Sequence, residues 1–163
     1  MRCGAAKILS LVGGSLGEEL GCPVDTPPLP TSTTPIPSPC IGFAFKEMCY
    51  TFNMQKVTYS GAQKACKAEG TTLAVFPTLD HNQAVQAKIK EFDTENMFYW
   101  IGVQRNNGNV FEWADGSKLE YTNWVGDGEE PYNQYNDVFM KTSDGQWNPT
   151  PSAEIPFVCS KEL

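Results

Sequence analysis

Six cysteines set against a single histidine constrain this chain more than any other feature. They stand at Cys3, Cys22, Cys40, Cys49, Cys66 and Cys159, no two form a Cys-x-x-Cys pair, and the last two lie far apart. A zinc site draws on clustered Cys and His, which His81 alone cannot complete. Disulfides in an oxidising compartment are the better reading, and they place the protein outside the cell. At 163 residues the chain has room for one ordinary domain and an extension, not comfortably for two. Its net charge of -7 repels phosphate backbones and anionic membrane surfaces, and no basic stripe offsets it, which argues against nucleic acid as a partner. The aromatic share, 12%, is generous and the charged share, 19%, is low, a balance that suits a loop-rich, aromatic-packed fold.

The N-terminal segment is read in two ways. Arg2 and Lys7 precede a short apolar run, and Ser15 and Gly17 fit the small positions a signal peptidase needs, so residues 1–17 are expected to be a signal peptide. The other reading is a frayed tail. Residues 18–39 form a Pro/Thr-rich linker in which proline recurs every two or three positions, blocking helix and leaving little to bury. It is expected to be an extended tether, bare or O-glycosylated at its Ser and Thr cluster. No stretch approaches the ~20 apolar residues of a membrane span.

From residue 40 onward the chain patterns as folded. Phe43, Phe45, Tyr50 and Phe52 alternate around the Cys40 and Cys49 pair as the strands of a hairpin do. Thr58 is placed to cap a helix over 59–69 that Gly70 stops in the left-handed conformation. A short strand over 72–76 follows. Thr78 then caps a second helix with Leu79, Val85, Ile89 and Phe92 on one face and His81 toward solvent. Strands are expected over 99–104 and 110–113, separated by the turn Asn106-Asn107-Gly108-Asn109. Regular patterning then stops from 114 to 136, and a loop this long inside a compact domain is usually functional. Short strands resume over 138–141, near Trp147 and over 156–159.

In this order the segments resemble the C-type lectin domain. The resemblance runs from Cys40 to the C-terminus and rests on Cys49-Tyr50, on Cys66 in the first helix, and on Leu73-Ala74-Val75. It rests also on Trp100-Ile101-Gly102-Val103, Phe111-Glu112-Trp113, Tyr121-Thr122-Asn123-Trp124, Trp147-Asn148 and Pro156-Phe157-Val158-Cys159. It implies an α+β fold over 40–163, with two helices, small antiparallel sheets and a protruding long loop. It also implies the disulfides Cys40–Cys49 and Cys66–Cys159. Closing nearly a hundred residues with the second bridge contributes about 4–5 kcal/mol in the chain-entropy model. If residues 1–17 are removed, Cys22 is left without a partner and is positioned to link two chains as a homodimer. Capping by a small thiol, or pairing with a retained Cys3, are the alternatives.

Departures from the family pattern bear on function. The family's second core bridge falls at Val138 and Ser152 and is therefore absent, so the long loop is expected to be the most mobile part of the domain. In calcium-dependent, sugar-binding members a Glu-Pro-Asn triplet, a downstream Glu and a Trp-Asn-Asp triplet hold the ion. Here they read Glu130-Pro131-Tyr132, Asn136 and Trp147-Asn148-Pro149. Any metal would fall to Glu130, Asn136 and Asn148, a single carboxylate and two amides, where calcium wants six to eight oxygens; Glu129, Asp127, Asn133 or Asp137 could compensate only in a rebuilt loop. The expected cofactor is accordingly none, with calcium at a degenerate lectin site as the alternative. Catalysis is not expected, because no Ser/His/Asp or Cys/His set can be assembled and the loop carboxylates lack a cleft. The leading expectation is extracellular recognition of a protein or glycan through the loop. Glu130, Tyr132, Asn133, Tyr135 and Asn148 are its candidate ligand-binding residues. Tyr121 and Asn136 add to the adaptable Tyr/Asn surface. The alternative is a calcium-dependent carbohydrate-binding lectin.

Overall fold

A computed structural model describes residues 39–163 apart from Asp127, Glu129, Tyr132 and Asn133. The expected signal segment, the tether over 18–38 and Cys22 therefore lie outside the described residues, as do Tyr132 and Asn133.

The aromatic alternation at the start of the domain becomes a hairpin of β1 (Phe43–Phe45) and β2 (Met48–Val57), joined through Lys46 at positive φ. Thr58 caps α1 (Tyr59–Ala68), its hydroxyl accepting from the Gly61 amide at 3.3 Å. Gly70 follows at φ 70°, where a Cβ would be strained, and the amides of Glu69, Gly70 and Thr71 close on the last carbonyls of the helix. β3 (Thr72–Leu73) is shorter than the sequence suggested. Beyond it Ala74, Val75 and Phe76 continue buried, with the Ala74 amide bonded to Val158 O.

In α2 (Leu79–Phe92) the inward face differs from the apolar face read in the sequence. His81, Asn82, Val85 and Ile89 are buried, whereas Leu79 and Phe92 are about half exposed. The reason is hydrogen bonding. Asn82 donates to Gly145 O at 3.0 Å and accepts from the Trp147 indole at 2.8 Å, so a polar side chain enters the core without penalty. His81, expected toward solvent, is 1% exposed and packs edge-on to Phe45, ring centroids 5.3 Å apart. Thr78 does stand at the N-cap, but its hydroxyl bonds to His81 Nδ1 at 2.8 Å and caps no amide. Asp93 ends the helix by collecting hydrogen bonds from Tyr99, Asn96 and Glu95. Burial alone would raise its carboxyl, but these donors hold it down at about 2.

The remaining strands are β4 (Phe98–Arg105), β5 (Phe111–Trp113), β6 (Asp137–Lys141), β7 (Trp147–Thr150) and β8 (Ile155–Glu162). They run in the order β1-β2-β8-β4-β6-β7, with β3 beside β8 and β5 beside β4. All pairings are antiparallel except β4 with β8, where Trp100 faces Phe157. Gly102 lies at the centre because nothing larger fits. A Cβ there would sit 2.5 Å from Leu73 O and 2.8 Å from Ala74 O, and the Gly102 amide bonds to Ala74 O. Two bridges staple the fold, Cys40–Cys49 and Cys66–Cys159, spanning 9 and 93 residues. Trp100, Trp113, Trp124 and Trp147 are all buried, and Trp147 meets Trp113, Trp124 and Tyr121 edge-on at 5.3–5.7 Å.

Candidate functional site

The long loop over 114–136 is built outward from this tryptophan cluster. It leaves β5 with the Ala114 amide on Gly102 O and a tight Asp115 turn, whose carboxylate accepts from the Ser117 amide and hydroxyl. Tyr121 then folds back onto Trp147 and is half-buried; burial pushes its hydroxyl up to about 12. It therefore belongs to the core and not to the adaptable surface on which the sequence placed it. Trp124 is 2% exposed, the Val125 amide donates to Trp147 O, and the Trp147 amide donates to Asn123 O. The first half of the loop is thus anchored without the missing bridge. Of the two positions where that bridge would lie, Val138 is buried and Ser152 exposed.

The second half is held by one residue that no sequence pattern singles out. Arg105, at the end of β4, donates twice to the loop and once to the 106–109 turn. Its backbone amide donates to Asn136 O at 3.1 Å, one guanidinium nitrogen donates to Pro131 O at 3.3 Å, and the other donates to Asn109 Oδ1 at 3.1 Å. The guanidinium carbon lies 4.1 Å from the centre of the Phe111 ring, a cation–π contact. Asn109 adopts positive φ to complete the turn that presents its side chain. The arginine Nε is buried and has no partner among the described residues, a cost that the other contacts offset. Nothing in the sequence marks this residue, because an arginine before an Asn/Gly turn reads as an ordinary exposed strand end.

The residues nominated from the sequence are arranged around that anchor unequally. Glu130 and Asn136 are exposed on the loop, flanking the Pro131 carbonyl and the Asn136 carbonyl that Arg105 engages. Tyr135 is half-buried. Asn148 sits half-buried on β7 opposite Phe139, and Pro149 beside it is buried opposite Val138. Asp137, at the root of the loop, faces Gln104 and Thr150 across the ladder, and burial raises its carboxyl above the usual range. Among the described residues no group of three or more His, Cys, Asp or Glu side chains is placed to hold a metal ion. Among the described donors, Pro149 offers no side-chain oxygen, burial raises the Asp137 carboxyl above its usual range, and the Arg105 guanidinium already donates to Pro131 O.

An α+β domain with two helices, a mixed sheet, a long loop on a tryptophan cluster and this pair of disulfides defines the C-type lectin fold. The sequence model for the Lectin C-type domain matches residues 55–161, and the chain belongs to that family. Among curated proteins it is similar to the human secretory phospholipase A2 receptor, 24% identical over 124 residues that cover 72% of this chain. It is also similar to the rat versican core protein, 26% identical over 125 residues. The chain spans 8% and 4% of the length of those two relatives. Among solved structures, human lithostathine superposes with a TM-score of 0.68 at 25% identity, covering 77% of this chain and 91% of that one. The family is one of recognition domains, and no helix among the described residues is long and apolar enough to cross a membrane.

Proposed function

We propose that this chain is an extracellular recognition module, not an enzyme, that takes a protein or glycan ligand through its long loop without calcium. The observation that carries this reading is the Arg105 guanidinium on Pro131 O. Calcium-dependent recognition needs acceptor oxygens converging on a vacant point. Here the carbonyl between the candidate donors already serves a fixed cation. A divalent ion placed beside that guanidinium would meet like-charge repulsion. Glu130, Tyr135 and Asn148, with Tyr132 and Asn133 beside them in the sequence, supply the aromatic, amide and carboxylate contacts of an adaptable binding surface. Family membership and the two disulfides support an extracellular setting.

The test is binding of the full chain to an immobilised glycan array and to extracellular-matrix protein fractions, each with calcium and with chelator. Binding that survives chelator and is lost in the Glu130→Ala/Tyr135→Ala double variant supports the reading. Binding that chelator abolishes assigns the loop to a calcium-dependent sugar site instead.

A further inference from the structure

Two cavities that share Thr71 and Thr72 open beside α1 and the chain entering β3, the second reaching the first turn of the long loop and neither touching Glu130, Tyr135 or Asn148. One, about 510 Å³, is lined by Ser60, Lys64 and Lys67 of α1 with Thr71 and Thr72 and has Leu73 on its wall. The other, about 660 Å³, shares Thr71 and Thr72 and continues past Ser117 and Lys118 to Glu120 and Glu162. Both volumes lie within the ~300–1,000 Å³ range of small-ligand sites. We propose that this pair of cavities is a second ligand site, for a sugar that carries one anionic group, a sulfate ester or a carboxylate. The site goes beyond the long-loop reading and does not depend on it.

Charge distinguishes this face. The chain carries a net charge of -7, and Lys46, Lys88 and Lys141 are each paired with a neighbouring carboxylate. Lys64 and Lys67 are not: among the described residues neither has an ion pair, and no carboxylate lines their cavity. Spaced three apart, they lie on one face of α1, where like charges repel by a few tenths of a kcal/mol. Lys67 is eased by the carbonyl end of the helix, in whose last turn it stands. Lys64 has no such partner. An oxyanion between the two ammonium groups relieves the repulsion and takes charge-assisted hydrogen bonds from both.

The second cavity sets the rest of the ligand. Its carboxylates, Asp115, Glu120 and Glu162, outnumber Lys118 and Lys161 and disfavour further negative charge. Asp115 is already occupied by Ser117, which leaves Glu120 and Glu162 as acceptors for neutral hydroxyls. Thr71 adds another acceptor, because its hydroxyl hydrogen is committed to Cys66 O at 2.8 Å and its lone pairs are not. A polyanion or an acidic peptide would be repelled along this wall. A neutral ring bearing a single anion at the lysine end is complementary to both cavities.

The probes are galactose 6-sulfate, N-acetylneuraminic acid and galactose, titrated into the 15N-labelled full chain. Amide shifts centred on Lys64, Lys67, Thr71 and Thr72 with either acidic sugar are expected, and the stronger of the two names the anion. Affinity should fall as salt rises. The Lys64→Gln/Lys67→Gln double variant, exposed on a helix and expected to fold, should weaken binding by about tenfold or more. Equal binding of galactose and galactose 6-sulfate, shifts confined to other surfaces, or an unaffected double variant would each overturn the proposal. Because Lys64, Lys67, Thr71 and Thr72 lie outside the long loop and the array variant changes only Glu130 and Tyr135, failure here leaves the array result untouched.

Discussion

Arg105 and His81 show how far a single side chain can depart from what its sequence neighbourhood implies. Arg105 ties β4, the 106–109 turn, β5 and the long loop through three hydrogen bonds and a ring contact. Its replacement by Gln should cost about 1–3 kcal/mol, the sum of a cation–π contact and its polar bonds less the relief of the buried Nε. The amide at position 105, bonded to Asn136 O, should then exchange on the order of tenfold faster in hydrogen-exchange NMR while the amide of Ile101 stays protected. An unchanged rate at position 105 would show that the guanidinium does not hold the loop. His81 is buried with Nδ1 on Thr78 and an unpartnered Nε2 that lies 3.7 Å from the exposed Glu47 carboxylate. Burial lowers its pKa from the ordinary 6.5; Lys46 lowers it further, while Glu47 and Asp80 oppose them. The native state therefore binds fewer protons than the unfolded chain below pH 6.5. The contribution to stability is whole above that value and is lost as pH falls through it, with a slope of at most about 1.4 kcal/mol per pH unit. Thermal melts between pH 7.5 and 5 should show this decline in wild type and a flatter profile in His81→Gln; parallel profiles would contradict it. Neither residue was legible beforehand. Hydropathy periodicity assigns a histidine to whichever face the apolar residues leave free, and it cannot register that Thr78 and Phe45 would enclose the ring.

At the scale of elements, the sequence was far more informative. The Thr58 cap, the Gly70 stop and the hairpin aromatics led to the observed elements because each depends on local chemistry within a few residues. The β4 segment was legible for a different reason: its glycine is imposed by the Leu73 and Ala74 carbonyls that cross it. The face of α2 was misread because its docking is decided by Gly145 and Trp147, more than fifty residues away. Similarly, the expectation of a loop released by the missing bridge did not foresee Arg105 as an anchor. The two disulfides offer a direct check on how elements share stability. Replacing Cys66 or Cys159 with Ser removes a constraint of about 4–5 kcal/mol and should prevent release of folded protein from a secretory host. Cys40→Ser, which opens a span of only 9 residues, should cost less than about 3 kcal/mol and still yield folded protein. Equal yields of all three would argue against the unequal roles assigned here.

For the whole molecule, we propose that recognition has been separated from calcium. The fold keeps the long loop and its tryptophan foundation, while the positions that would ligate the ion read Tyr132, Asn136 and Pro149. A cation supplied by the chain itself stands at Pro131. With the family's second bridge also absent, this loop relies on side-chain packing and one arginine, which leaves it open to sequence change without loss of the scaffold. Calcium titrated into the purified full chain by calorimetry tests the claim most directly. No saturable heat below the millimolar range and no shift in melting temperature between calcium and chelator are expected. A dissociation constant in the low micromolar range, with a matching rise in melting temperature, would contradict it and return the loop to calcium-dependent sugar binding.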